Sequence, residues 1–441
     1  MRQLDLQPPL AHMKTSTDRQ CPEGARSNLF RRRRVALLGG TTTFTDILIA
    51  AGLTVNPFRL VRGPAIREFE RAFARRIGVR FAYSFSAGRV GLYALLRGLG
   101  IGAGDEVLLQ VPTHIVVPNA IRYTAARPVY VDCRPRDYNM DLEKAQRQIT
   151  PRTKVLLLQH TFGIPADLEK ALALARQHGI VLIEDCVHAL GARYNGRPVG
   201  GFGRAAFFST EETKTITSTM GGMVVTDDGE LAARIEEFQA TCAWPSAWLT
   251  ARYMLKLVLY HLLTEPHLHV HTRALYEFFG RRQPIPGATS LEEQQGARPK
   301  NYTVRLANAQ AAIALRQLKR LDTNLAHRRA VAHAYAARLS DRFLLPQPPN
   351  NADPAFVRYP ICVQDRREAQ RAIAPHAVLG LWFTSVLEEA QSPRFGDYES
   401  GSCPVAEALS QSLINLPTHP RVSYQDVERI VSAVQNLAAS T

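Results

Sequence analysis

The stretch Phe207–Gly222, FFSTEETKTITSTMGG, holds one lysine, Lys214, in a chain with 54 Lys+Arg of which only eight are lysines. Between Lys170 and Lys256 no other residue carries a side-chain amine. Arginine serves every need of a surface charge, but it forms no Schiff base and keeps its proton in a protein, whereas a desolvated lysine can do chemistry through both. Three further features could act with such an amine. Asp185 ends the apolar run Ile180–Cys186, where a carboxylate is either a solvated loop residue or a buried ion in want of a cation. Ser86-Ala87-Gly88-Arg89 is a small-residue turn entering a helix, and the free N–H groups of a helix N-terminus can cradle a phosphate. Ser209 closes the run Ala205–Ser209, shortly before the lysine. Each taken alone has a plain structural explanation: a capping serine, a solvated lysine, a turn glycine.

These residues need a frame, and the sequence supplies one. Apolar runs at 106–111, 128–132, 154–160 and 180–186 alternate with amphipathic helical segments, among them DLEKALALARQHG closed by Gly179. Short apolar strands separated by such helices indicate a parallel sheet covered on both faces. Ligands collect at the carboxyl ends of such strands, which is where His160, Asp185 and Ser209 fall. Pro64–Val79 carries Ile66, Phe69, Phe73 and Ile77 at helical spacing, and Leu92, Leu95, Leu96 and Leu99 share a face of the helix after Gly88. Trp248–Leu263 is a strongly apolar helix with Arg252 and Lys256 on one face; it is expected to pack on the protein body or a second subunit, the alternative being an in-plane membrane contact aided by Arg31–Arg34. From Arg305 onward the chain is helix-rich, and Ser423 is placed to cap the last helix.

Length and composition bound the rest. The 441 residues are 46% hydrophobic and 21% charged, enough for a sizeable core in two or three parts. The net charge of +15 reflects either arginine spread over the surface or attraction to acidic partners such as nucleotides and phosphates. Nucleic-acid binding is not expected, because no recognition motif or aromatic-interleaved basic stripe is present. The six scattered cysteines form no metal spacing and suit a reduced, cytoplasmic setting. Residues 1–34 read as a loosely attached tail, with neither a signal peptide nor a spanning segment.

The ordered pieces SAGRVGLYALL, EDCVHALGA, GGFGRAAFFSTEETK and GGMVVT, followed by RLANAQAAIALRQLKRLD and INLPTHP, resemble the DegT/DnrJ/EryC/StrS family of pyridoxal-phosphate (PLP) aminotransferases. The resemblance implies an α/β protein of PLP-dependent transferase fold type I: a mostly parallel seven-stranded sheet with helices on both faces, plus a smaller C-terminal α/β domain. The implied division is an N-terminal tail and arm (1–55), a large PLP-binding domain (56–245), a helical insertion and loop (246–300) and a small domain (301–441). The resemblance makes Lys214 the Schiff-base lysine and general base, and places Asp185 on the pyridine nitrogen. Gly88, Arg89 and Ser209 would hold the phosphate. His114 would stack on the ring, where the family more often has Phe or Tyr. His188 stands where many members have glutamine, within reach of the phenolic oxygen. Asn301 or Thr303 would reach the partner subunit's phosphate in a homodimer. Glu211 and Glu212 are unusual so close to the lysine; they would touch a substrate amine or face solvent. The implied reaction moves an amino group from glutamate to a nucleotide-linked keto-sugar. The rival is a non-catalytic relative that binds PLP or a sugar nucleotide as regulator or scaffold.

Overall fold

The computed structural model describes residues 33–37, 40–54, 56–272, 289–339, 343–380 and 382–438. The tail through Arg32, and with it Arg31 and Arg32 of the basic run, lies outside the described residues, as does 273–288 of the long loop.

A seven-stranded sheet organises the chain. Its strands are β1 (Phe81–Phe85), β2 (Glu106–Gln110), β3 (Arg127–Val131), β4 (Thr153–Gln159), β5 (Val181–Asp185), β6 (Ala205–Ser209) and β7 (Gly222–Thr226). They lie in the order β1-β7-β6-β5-β4-β2-β3. β7 runs antiparallel to both neighbours, and every other pairing is parallel. The strands expected at 106–111, 128–132, 154–160 and 180–186 form within one residue at each end. Strand β1, by contrast, was not singled out by the sequence; its ladder to β7 is antiparallel and spans more than a hundred residues.

Successive residues of a strand point to opposite faces, and here both faces are dry. Leu156, Leu158, Ala206 and Phe208 enter one apolar cluster with Phe69 and Phe73 of the helix Ala65–Ile77. Val155, Leu157, Ala205 and Phe207 enter the other with Leu92, Leu95 and Leu96 of the helix Gly88–Gly98. That two-sided burial explains why the strands read as continuous apolar runs rather than alternating ones. The helix Leu168–His178 ends as expected at Gly179, whose left-handed φ of 63° is strained for other residues.

The C-terminal part packs the helices Leu321–Leu339, Arg366–Ile373, Pro404–Ser412 and Tyr424–Ala438 around an antiparallel pair, Tyr359–Cys362 with Leu413–Leu416, while the helix Asn308–Leu318 lies against Phe69 and Phe73 of the helix Ala65–Ile77. Ser423 Oγ accepts the Asp426 N–H at 3.2 Å, the expected cap. A short parallel pairing of Leu387–Glu388 with Thr113–His114 ties this part to the rim of the sheet.

The helix Ala247–Leu263 starts at Ser246, whose Oγ accepts the Leu249 N–H at 3.1 Å. Met254 and Leu257 pack with Ile47, Ala50, Ala309 and Ile313, so one face is covered by the protein body. Lys256 is also on that side; it is buried and pairs with Glu212 at 2.7 Å. Glu212 therefore neither faces solvent nor waits for a substrate amine, which corrects the expectation for that residue. No helix among the described residues is long and apolar enough to cross a membrane.

Candidate active site

Because β5 and β6 are parallel, Asp185 and Ser209 end up on the same rim of the sheet, and the turn before the helix Gly88–Gly98 arrives beside them. A cavity of about 150 Å³ opens there, lined among others by Gly88, His114, Asp185, His188, Ser209 and Lys214. Arg89 lines it too. Residues spread over more than a hundred positions of sequence thus share one wall.

The turn before the helix Gly88–Gly98 is shaped by glycines. A Cβ at Gly222 would come within 2.4 Å of the backbone of Ala87 and Gly88, so β7 can slide under the turn only without a side chain. A Cβ at Gly88 would lie 3.1 Å from the Phe208 carbonyl and 3.4 Å from Ser209. The N–H groups of Gly88 and Arg89 precede the first intrahelical bonds, in which Val90 and Gly91 donate to Ala87 O. They are the free donors that a helix N-terminus offers an anion. The Arg89 side chain turns away and pairs with Glu293 at 2.5 Å.

Asp185 is buried, and its carboxylate accepts one hydrogen bond, from the Val187 N–H at 3.1 Å. Burial pushes its pKa up to about 7, against the Val187 N–H and the positive charge of Lys214. A buried carboxylate so poorly partnered calls for a cationic N–H. Lys214 is half-buried, and its ammonium lies 4.1 Å from the centre of the Trp382 ring. Burial, opposed by Glu211 but reinforced by Arg358, brings its pKa down to about 8. At neutral pH an appreciable fraction is the free amine, the nucleophilic form.

His188 is buried between aromatic rings, 4.3 Å from Trp382 at an interplanar angle of 13° and 6.2 Å from Phe162. Burial, helped by Lys214 and Arg358, lowers its pKa well below the ordinary imidazole value. It is neutral, and its Nδ1 has no hydrogen-bond partner. His114 is fixed from two sides: Nδ1 accepts the Val116 N–H at 3.3 Å, and Nε2 meets Glu389 at 3.3 Å. Burial alone would raise the Glu389 carboxyl, but His114, Thr289 and Arg89 bring it down to about 2. Asn301 is exposed and Thr303 half-buried; neither lines the cavity of its own chain.

The residues present fit PLP. A stranded carboxylate suits a pyridinium N–H, a near-neutral amine suits an aldehyde, a glycine-shaped helix start suits a phosphate, and an orphaned Nδ1 suits a phenolic oxygen. Sequence reasoning missed Trp382, Glu389 and Glu293. Trp382 and Glu389 come from loops with no periodic signal, the cue there being that Trp382 is among only three tryptophans in the chain; Glu293 sits in the short helix Leu291–Gln294, and the Ser290-x-x-Glu293 capping box was its cue.

Comparison with known proteins agrees with this chemistry. The model of the DegT/DnrJ/EryC1/StrS aminotransferase family matches residues 52–254 and 263–435. GDP-perosamine synthase of Caulobacter vibrioides is 31% identical over 381 residues, covering 85% of this chain and 90% of its own. The UDP-N-acetyl-3-dehydro-alpha-D-glucosamine 3-aminotransferase of Acidithiobacillus ferrooxidans is 28% identical over 392 residues, covering 88% and 93%. Among solved structures, DesV of S. venezuelae superposes with a TM-score of 0.71 at 26% identity, over 92% of this chain and 99% of that one. By the family match and the constellation at the sheet rim, the chain belongs to the DegT/DnrJ/EryC1/StrS aminotransferase family and is a PLP-dependent aminotransferase.

Proposed function

We propose that the protein moves an amino group from an amino acid, glutamate by family resemblance, to a keto-sugar carried on a nucleoside diphosphate, in the assembly of a polysaccharide or secondary metabolite. The acceptor class rests on the relatives, whose names specify GDP- and UDP-linked sugars. The observation that carries the reading is the pairing, in one cavity, of an amine held near pH 8 with a carboxylate that has a single hydrogen bond.

PLP, when bound, accepts the electron pair released at the donor's Cα. The remaining work falls to the chain. Lys214 Nζ takes the proton from the donor's Cα and later returns one to the acceptor carbon, general base and then general acid. Asp185 keeps the cofactor's ring nitrogen protonated. Gly88, Arg89 and Ser209 hold the phosphate, His188 donates to or accepts from the phenolic oxygen, and His114, steadied by Glu389, covers the ring. Trp382 shields Lys214 from water. In a homodimer, Asn301 or Thr303 reaches the partner's phosphate; sedimentation analysis showing a monomer at working concentration would remove that role.

The reaction is tested by supplying the PLP-loaded protein with glutamate and a panel of nucleotide-linked keto-sugars, and measuring 2-oxoglutarate. One acceptor should yield 2-oxoglutarate and amino-sugar in equal amounts; no turnover across the panel contradicts the acceptor class. A second reading, weak contact with a membrane surface, is favoured by one observation: Trp248, Leu255 and Leu262 recur every seven residues on the helix Ala247–Leu263 and are all exposed. Failure to co-sediment with anionic liposomes at low salt would dismiss it.

A further inference from the structure

Next to the main cavity lies a second one of about 20 Å³, room for about one water-sized group. Lys214 and Thr213 line both cavities. Around the smaller one stand three cationic side chains, Lys214, Arg328 and Arg358, and a single acid, Glu212, whose carboxylate is already paired with Lys256. His419 also lines it but is neutral, since burial brings its pKa down to about 3.

The two guanidiniums differ. Arg328 is buried and well bonded: Nε donates to Asn324 at 2.8 Å, and one terminal nitrogen donates to the Val357 carbonyl at 2.9 Å and to Thr418 at 3.1 Å. Its role is structural. Arg358 is only 5% exposed, yet its fork makes one long hydrogen bond, to Asn415 at 3.4 Å, and otherwise rests 3.6 Å from the centre of the Trp382 ring. No carboxylate lies within ion-pair distance of it among the described residues. Glu211 is turned toward Thr213, and Glu388 is held by Thr384. Space has been left for this side chain: a Cβ at Gly380 would come within 2.2 Å of the guanidinium. Burial draws the pKa of Arg358 down to about 9, and Arg328, depressed to about 9 chiefly by burial, also feels its charge. Two neighbouring buried cations without a counter-ion are unfavourable until an anion arrives.

We infer that Arg358 receives a carboxylate of the amino donor, which reaches it from the main cavity past Lys214 rather than fitting within the small cavity alone. The inference rests on the aminotransferase reading of the same site. A donor whose amine is engaged where Lys214 stands can extend its carboxylate toward Arg358 without leaving the enclosed site. A planar guanidinium with free donors matches a carboxylate by two parallel hydrogen bonds. The same carboxylate is present on the 2-keto acid product, so Arg358 serves both directions of that half of the cycle.

Glutarate, a dicarboxylate with no amine, isolates the anion site. Calorimetry on the PLP-loaded protein should show glutarate binding that weakens about 10–100-fold in Arg358→Met, the loss expected for charge-assisted hydrogen bonds, with partial recovery in Arg358→Lys. Glutamate should weaken in parallel. L-alanine, which has only the α-carboxylate, reports whether that carboxylate or the side-chain one is held: its affinity falls in the first case and not in the second. Binding of n-propylamine, an amine without a carboxylate, should stay within about twofold, and cofactor content should be unchanged. An unaltered glutarate Kd in Arg358→Met overturns the inference. So does an equal loss for n-propylamine, which marks a structural role, or a loss confined to UDP or GDP as probe, which assigns the guanidinium to the acceptor. A wild-type protein that binds glutarate through Arg358 yet transfers no amine would sink the reaction and leave the anion site standing.

Discussion

Glu184 and Asp185 are neighbours at the end of one strand, equally buried, and treated in opposite ways. Glu184 accepts the N–H groups of Gly200 at 2.7 Å and of Phe202 and Gly203 at 2.8 Å, and meets His160 at 3.2 Å. Burial would raise its pKa, but His160 and these N–H groups outweigh it and hold the carboxyl below its usual range. Asp185, one residue on and facing the other side of the sheet, has one N–H and is pushed up to about 7. A fold can satisfy a buried carboxylate when it needs to. Where it leaves one short of partners beside a cavity, the missing partner comes from a ligand.

Removing each acid should break different things. Glu184→Ala strands a buried imidazole and three loop N–H groups and is expected to cost about 3–5 kcal/mol, the range for breaking a buried pair, read by urea unfolding; a loss under about 1 kcal/mol would mean the pair is ornamental. Asp185→Asn removes an ill-partnered charge, so the unloaded protein should be as stable as wild type or more so. Amino transfer should fall about 10²–10³-fold, as when a positioned electrostatic group is lost from an active site. A variant with full activity would detach Asp185 from the chemistry.

Acidity sharpens the contrast further. In the unfolded chain Asp185 ionises near its ordinary value; in the fold it keeps its proton up to about pH 7. Between those values the unfolded state is ionised and the folded state is not, so this residue's contribution to stability falls as pH rises from about 4 to about 7. The melting temperature of unloaded wild type, minus that of Asp185→Asn, should decline by a few degrees across that window; parallel curves would contradict the assigned burial. The smallest effect concerns Lys214. With its pKa brought down to about 8, the rate at which the unloaded protein takes up PLP should rise with pH and level off just above that value. A rise continuing toward the ordinary lysine pKa, above 10, would show an unperturbed amine.

The strands and their carboxyl-end residues were legible because burial on both faces writes continuous apolar runs, and because Asp185 and Lys214 interrupt patterns that have no local use for them. Strand β1 was not, since Phe81–Phe85 reads FAYSF, where Ser84 breaks the apolar run, and its partner β7 lies far along the chain. Trp382 and Glu389 reach the cavity through a C-terminal segment whose placement depends on the Leu387–Glu388 pairing with Thr113–His114, a contact no local pattern encodes. Glu212 was misread for a similar reason: its partner Lys256 sits on the buried face of a helix that the sequence showed as apolar without showing which side is covered.

The most direct measurement is chemical. The PLP-loaded protein is reduced with borohydride, digested and mapped by mass spectrometry, alongside Lys214→Ala treated identically. A pyridoxyl group on Lys214 in wild type, absent from the variant, is the expected result. A pyridoxyl group on any other lysine, or none at all in a protein that retains the cofactor, would contradict the assignment of the reactive amine.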